Sequence, residues 1–128
     1  MGKTDSISVL SAVDLLPTFC ELANIELPKD YQPDGESFAE IFNGDTFQRT
    51  KPLFWDWRFS RTNSENQWAA GAVRIGDWKL LMDKKGKRKE LYNIINDPFE
   101  KRNLAEEKIE RTEQLSIMLT AWQKQLPQ

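Results

Sequence analysis

The stretch Ala70-Gly71-Ala72-Val73-Arg74-Ile75-Gly76-Asp77-Trp78-Lys79-Leu80-Leu81-Met82 decides the fold. Two apolar-rich runs flank Gly76-Asp77, and a two-residue loop opening on Gly between strand-like runs marks a tight hairpin. Upstream, from Pro52, Leu53, Trp55, Trp57 and Phe59 alternate with Asp56 and Arg58, the period of a half-buried strand. Downstream, the basic turn Lys84 to Arg88 leads into a fourth strand around Glu90 to Ile94. Three successive antiparallel connections predict a four-stranded meander, which Asn96-Asp97-Pro98 ends.

Helical periodicity brackets the sheet. From about Glu106, Ile109, Thr112, Leu115, Leu119, Trp122 and Leu126 form one stripe. Such a helix can cover one face of the meander, and Trp55, Trp57 and Trp78 are assigned to that covered face. Ahead of the sheet, Ser11 to Asn24 reads as a short amphipathic helix with Leu15, Leu16, Phe19, Leu22 and Ala23 on its apolar side. Asp14 is read as its N-cap and Asn24 as a left-handed stop. Asp34-Gly35 marks a turn, and Ser37 to Glu40 fits a capping box opening a shorter helix that Asn43-Gly44 ends. The predicted class is therefore α+β: a four-stranded antiparallel meander packed by a long C-terminal helix and preceded by a short helical segment.

Composition narrows the chemistry. The chain has 128 residues, with one cysteine, five tryptophans and no histidine. A length of this order suits one core. Without histidine, Ser-His-Asp and Cys-His machinery is excluded, and one cysteine supports neither an internal disulfide nor a usual zinc site. Cys20 lies mid-helix and reads as a buried structural thiol. No segment alternates oxygen ligands about a Gly as a calcium loop requires, so no metal site is expected in the chain. With 18 Lys and Arg against 20 Asp and Glu, the net charge of −2 gives no reason to expect a nucleic-acid partner. No apolar run approaches the ~18 residues of a membrane span, and no membrane partner is expected.

The candidate binding residues lie between the first two strands. Arg58, Arg61, Asn66 and Gln67, with Asn63, are side chains that read anions and hydroxyls, and Trp68 closes the segment with a ring able to stack on a sugar. The basic run Lys84 to Lys89 reads as a solvated turn.

The order of short motifs then resembles a known family. Val13-Asp14-Leu15-Leu16-Pro17-Thr18, Asp34-Gly35-Glu36-Ser37, Ala72 to Leu80, Glu90-Leu91-Tyr92-Asn93, Asn96-Asp97-Pro98-Phe99-Glu100 and Asn103-Leu104-Ala105 are similar to the C-terminal region of arylsulfatase-type sulfatases, in particular those described as N-acetylgalactosamine-6-sulfatase-like. Asn24 is one departure, since the family commonly has Gly there. The resemblance implies a parent several times longer that hydrolyses sulfate esters, with carbohydrate sulfates the expected substrates. It places the formylglycine nucleophile, in a Cys/Ser-x-Pro/Ala-x-Arg signature, and the ligands of a calcium ion in a preceding α/β domain. Cys20 is followed by Glu21-Leu22-Ala23-Asn24 and does not match that signature, so no catalytic residue carries over.

By the same resemblance, residues 1–48 would be the end of, or link from, the catalytic domain, and residues 49–128 the C-terminal subdomain. The catalytic domain of the same parent is the expected partner, a sulfated glycan a further one, and self-association through the first helix another. The expected address of the parent is secreted, periplasmic or lysosomal. Two other readings stand beside this one: a Trp-rich carbohydrate-binding module, and a free-standing interaction domain.

Overall fold

A computed structural model describes residues 4–57 and 68–127 of the chain. It divides into two compact units, Met1–Leu53 and Phe54–Gln128.

The first unit is organised around one buried carboxylate. A single 3₁₀ turn, Ala12–Asp14, runs directly into α1, Leu15–Leu22. Asp14 stands at the N-cap position of α1 but its side chain caps nothing there. It turns inward instead, accepting the N–H groups of Ser11 (2.7 Å) and Glu36 (3.0 Å) and pairing with the Arg49 guanidinium. The expected N-cap is thus corrected: the carboxylate reaches back to Ser11 N–H at the start of the 3₁₀ turn and across to Glu36 and Arg49, and makes no capping hydrogen bond to α1. Gly35 is required by close approach, since a Cβ there would collide with the Val13 carbonyl and come within 2.7 Å of Asp14 N. The Thr18 hydroxyl donates to Asp14 O (2.7 Å) and accepts from Phe38 N (3.0 Å), tying α1 to the second short helix.

The C-terminus of α1 follows its sequence signals. Asn24 takes φ of 53°, Asn24 N–H reaches Glu21 O (3.0 Å) and Ile25 N–H reaches Cys20 O (2.8 Å). This is the paired reversal that a left-handed residue makes possible at a helix end. The second helix is a 3₁₀ segment, Ala39–Asn43, stopped by Gly44 at φ 89°. Ser37 Oγ accepts from Ala39 N–H (3.2 Å).

The second unit holds most of the sheet. β1 (Leu53–Asp56), β2 (Gly71–Ile75), β3 (Trp78–Met82) and β4 (Lys89–Asn93) lie in the order β1-β2-β3-β4, the meander expected. The Gly76-Asp77 reversal, with Gly76 at φ 54°, sets Ile75 opposite Trp78 and Val73 opposite Leu80. α2, Ile109–Gln123, lies over one face. Val73, Leu80, Met82, Leu91, Leu115 and Leu119 form its core, with Phe54, Trp78 and Trp122 packed against them. Phe54 and Trp122 stack with ring centroids 4.8 Å apart. The free edge of β4 is covered by Asn103-Leu104-Ala105: Leu104 N–H reaches Leu91 O (2.8 Å), while Asn103 Oδ1 accepts Leu91 N–H (3.0 Å). An edge strand so covered offers no template for further pairing.

Two expectations change here. Of the three tryptophans assigned to the helix-covered face, only Trp78 packs there; Phe54 takes the place given to Trp55 and Trp57. Leu53, Phe54, Trp55 and Trp57 are all apolar, so alternation in β1 did not by itself name the inner parity. The helix stripe also starts later, at Thr112, with Ser116 buried in it, while Ile109 is 68% exposed. The Thr112 hydroxyl donates to a backbone carbonyl of the preceding turn, and the Ser116 hydroxyl to Thr112 O (2.6 Å), which lets these polar groups sit inside.

Leu119→Ala is expected to lower stability by about 2–5 kcal/mol, read as a lower denaturant midpoint of tryptophan fluorescence, because all five tryptophans lie in the second unit. Gly35→Ala is expected to loosen the first unit instead. Hydrogen exchange at the Phe38 amide should accelerate while that at Leu80 does not.

Candidate functional site

The face of the sheet away from α2 carries a shallow hollow. β-strand side chains alternate between faces, so Val73, Leu80 and Met82 in the core commit Arg74 and Lys79 to the opposite side. These two are register partners across β2 and β3. With Trp55, Trp57, Ile94, Ile95, Pro98 and Glu100 they line a hollow of about 530 Å³. Lys79 Nζ donates to Glu100 Oε1 at 2.6 Å, and Arg74 Nε donates to Gly76 O at 3.3 Å. Glu100 is brought there by the turn after Asn96, where it adopts φ of 53°. Sequence reading missed this grouping because its members come from β1, the central hairpin and the Pro98 turn. The signal that could have found it is the register across Gly76-Asp77.

Of the residues picked from the sequence, Arg58, Arg61, Asn66 and Gln67 lie outside the described residues. Trp68 is described, and the Arg88 guanidinium sits 3.9 Å from its ring centroid. Arg88 also donates to Glu90 Oε1 (2.8 Å), and Glu90 Oε2 accepts from the Tyr92 hydroxyl (2.7 Å). One member of the basic turn is therefore engaged with the end of the candidate segment, joining Trp68 to β4 through a cation–π contact and two charge-assisted hydrogen bonds. Burial, the hydrogen bond to Glu90 and the charges of Glu90, Glu100 and Asp97 push the Tyr92 phenol up to about 12.

Cys20 is half-buried on α1 rather than fully enclosed. The apolar side of that helix is turned outward, with Leu16 49% and Phe19 56% exposed, while Asp14, Pro17 and Thr18 are inside. A helix that buries its small and polar side and exposes its leucines reverses the usual arrangement.

Neither group that the sulfatase resemblance implies fits these residues. Among the described residues no three His, Cys, Asp or Glu side chains converge as a metal site. Asp14 and Glu36, both in the first unit, already share Arg49, whose Nη1 lies 3.6 Å from Glu36 Oε2. Burial alone would raise the Glu36 carboxyl, but the Thr50 hydroxyl, the Lys51 and Thr50 N–H groups and the Arg49 charge outweigh it and leave it below its usual value. The oxygens of both carboxylates are thus taken up by Arg49 and by backbone and hydroxyl donors of the first unit.

Comparison with known proteins agrees with the architecture. Residues 2–126 match the family described as N-sulphoglucosamine sulphohydrolase, C-terminal. A Delta 4,5-hexuronate-2-O-sulfatase of Bacteroides thetaiotaomicron is 30% identical over 106 residues, which are 80% of this chain and 21% of that protein. The crystal structure of Ps i-CgsB in complex with k-i-k-neocarrahexaose superposes with a TM-score of 0.69 at 21% identity, over 90% of this chain and 24% of the other. A solved 2-O GAG sulfatase gives a TM-score of 0.55 at 26% identity, over 87% and 23%. The α+β meander with its helix is thus the C-terminal region of a sulfatase. The chain belongs to the N-sulphoglucosamine sulphohydrolase C-terminal family, and it spans between a fifth and a quarter of the length of these relatives.

The Tyr92 environment has a measurable consequence. Its phenol is expected to ionise near pH 12 by phenolate absorbance, and Glu90→Gln to lower that value only part of the way, because burial, the largest cause, is unchanged. A raised phenol value means that the associated stability is present below pH 10 and is lost as pH climbs from there through 12.

Proposed function

We propose that this chain is the C-terminal part of a longer enzyme that hydrolyses sulfate esters of carbohydrates, and that it contributes no catalytic group of its own. The observation that carries this reading is the family match along residues 2–126 in a chain spanning only 21% of its curated relative. The absence of histidine from the sequence and the surroundings of Cys20 agree with it. The formylglycine and calcium of such an enzyme would belong to the domain that its relatives carry in addition to this region.

Within that enzyme, residues 1–48 are read as the end of the catalytic domain or the link from it, and residues 49–128 as the C-terminal subdomain. The outward leucines and Phe19 of α1 support packing of the first segment on the rest of the catalytic domain. Covering these half-exposed side chains would remove their remaining apolar surface from water, worth roughly 25 cal/mol per Å² before the costs of association. Arg58, Arg61, Asn66, Gln67 and Trp68 are read as shaping the substrate cleft, with guanidinium groups suited to two-pronged contact with a sulfate. The Arg88 contact supports the part given to Trp68, since it holds the ring at the end of that segment.

Two measurements test this. The coding sequence should continue in frame upstream of Met1 and contain a Cys/Ser-x-Pro/Ala-x-Arg signature; a stop codon immediately upstream overturns the reading. The 128-residue chain alone should release no nitrophenol from p-nitrophenyl sulfate, and turnover by it would show that the chemistry lies here after all.

A further inference from the structure

We infer that the turn between β3 and β4, through Lys84, Lys85 and Lys87, is a binding site for a sulfated polysaccharide chain, holding several of its anionic groups at once rather than one sugar. The inference rests on the reading above only for its choice of a sulfated glycan among polyanions. What it adds is a contact to the polymer, separate from the sulfate that is hydrolysed.

The turn is built by its backbone and by Asp83. Gly86 N–H reaches Asp83 O (3.1 Å), which makes Lys84 and Lys85 the two central residues of a β-turn. Gly86 takes φ of 69°, and Asp83 N–H reaches Arg88 O (3.1 Å), closing the hairpin. Asp83 Oδ1 accepts the N–H groups of Lys87 (2.7 Å) and Arg88 (3.2 Å), so the carboxylate is directed at backbone donors. None of these bonds uses a lysine side chain. Lys84, Lys85 and Lys87 are all exposed.

Five of the chain's 18 Lys and Arg residues stand within Lys84 to Lys89, so the positive charge of a net acidic chain is gathered at one place. Runs of this kind are a footprint of polyanion binding. The structure divides the five. At the base of the turn Arg88 pairs with Glu90 at 2.8 Å and stacks on Trp68, and Lys89 Nζ reaches Glu113 Oε1 at 2.7 Å. Lys84, Lys85 and Lys87 make no ion pair and no side-chain hydrogen bond among the described residues. A β-turn brings its first and fourth Cα within about 7 Å, and salt screens charge only over roughly 8–10 Å, so the potentials of the three ammoniums add. Water would be satisfied by any polar residue here. Three like charges repel one another until an anion sits among them.

Place in the sheet agrees. In the order β1-β2-β3-β4 the first and third connections leave by the same end. Trp57 N–H reaches Ala70 O (2.9 Å) and Ala70 N–H reaches Met82 O (2.9 Å), which sets these strand ends side by side. Trp68 stands there too, its ring centroid 3.9 Å from the Arg88 guanidinium. The lysines and the residues that flank segment 58–67 thus share one end of the sheet. Lysine is a compact charge on a flexible stem, able to follow sulfates at uneven spacing without a paired geometry. A single glycan chain can fold its anions around one tip. A stiff duplex needs cations spread along its length, and the net charge of −2 opposes it further.

The test measures the affinity of the 128-residue chain for fluorescein-labelled heparin by fluorescence anisotropy. Competitors are unlabelled heparin, hyaluronan (which lacks sulfate), a thymidine oligonucleotide of similar length, and glucose 6-sulfate. Contacts from three lysines predict an affinity that falls roughly tenfold or more between about 50 and 200 mM salt. Lys84→Gln, Lys85→Gln and Lys87→Gln together should weaken heparin binding about tenfold or more. Lys29→Gln, Lys108→Gln and Lys124→Gln, the same change of charge on exposed residues elsewhere, should weaken it less than about threefold. Arginine at all three turn positions keeps the charge and should restore binding. No affinity at low salt, equal losses in the two triple glutamine variants, or displacement by hyaluronan, glucose 6-sulfate or the oligonucleotide as readily as by heparin would each overturn the proposal. Heparin affinity is measured without reference to what lies upstream of Met1, so the two readings fail separately.

Discussion

The register across the Gly76-Asp77 reversal is the constraint on which the second unit depends. A two-residue connection allows no slack, so Val73 must oppose Leu80 and Arg74 must oppose Lys79. A slip by one residue would send Leu80 and Met82 to the outer face and bring Lys79 under α2. Everything else follows from this parity. Leu91 on β4 and Leu115 and Leu119 on α2 find Leu80 because the hairpin has already turned it inward. The charged pair meets the tryptophans of β1 for the same reason, on the opposite face.

The first unit depends on a different kind of interaction. Asp14 is fully buried and Arg49 is almost so, and a buried pair is tolerable only when its other hydrogen-bonding groups are satisfied. Here the Ser11 and Glu36 N–H groups donate to the carboxylate and Val9 O accepts from Arg49 Nε (3.1 Å), while buried Arg49 Nη1 makes no hydrogen bond to the described residues and has only the Glu36 carboxylate beside it at 3.6 Å. This network joins the residues before α1, the Gly35 turn and the segment ahead of β1. It explains why an eight-residue helix can hold its place while showing solvent its apolar side. Removing Arg49 would leave the Asp14 carboxylate buried without its counter-ion.

Much of the fold was legible because its signals are local. The left-handed stop at Asn24, the Gly44 stop, the tight hairpin and the meander order all arise from backbone preferences within a few residues. The short motifs that resemble sulfatases turn out to have structural work in this chain: Asp14 and Glu36 bind Arg49, Gly35 admits the Val13 carbonyl, Glu100 pairs with Lys79, and Asn103 covers the β4 edge. What could not be read was choice between equivalent local options. β1 is apolar on both parities, so the assignment of Trp55 and Trp57 to the helix side failed where that of Trp78 held. Arg49 attracted no notice, since an arginine before a strand is ordinary until a buried carboxylate faces it. The hollow was invisible for a related reason, being assembled from three separate stretches.

The sequence by itself determined the α+β class, the number and order of the elements, the turns that end them, and the absence of histidine-based chemistry from this chain. Those are consequences of periodicity, of glycine and asparagine at left-handed positions, and of composition, all of which act over short distances along the backbone. Only the tertiary structure decided which face of β1 meets α2, that Asp14 pairs with Arg49 rather than capping α1, and that Trp57, Arg74 and Lys79 share one hollow. Each of these depends on which side chain wins a place in a common core. That contest is settled by packing volume and by the cost of burying charge, summed over residues far apart in the chain.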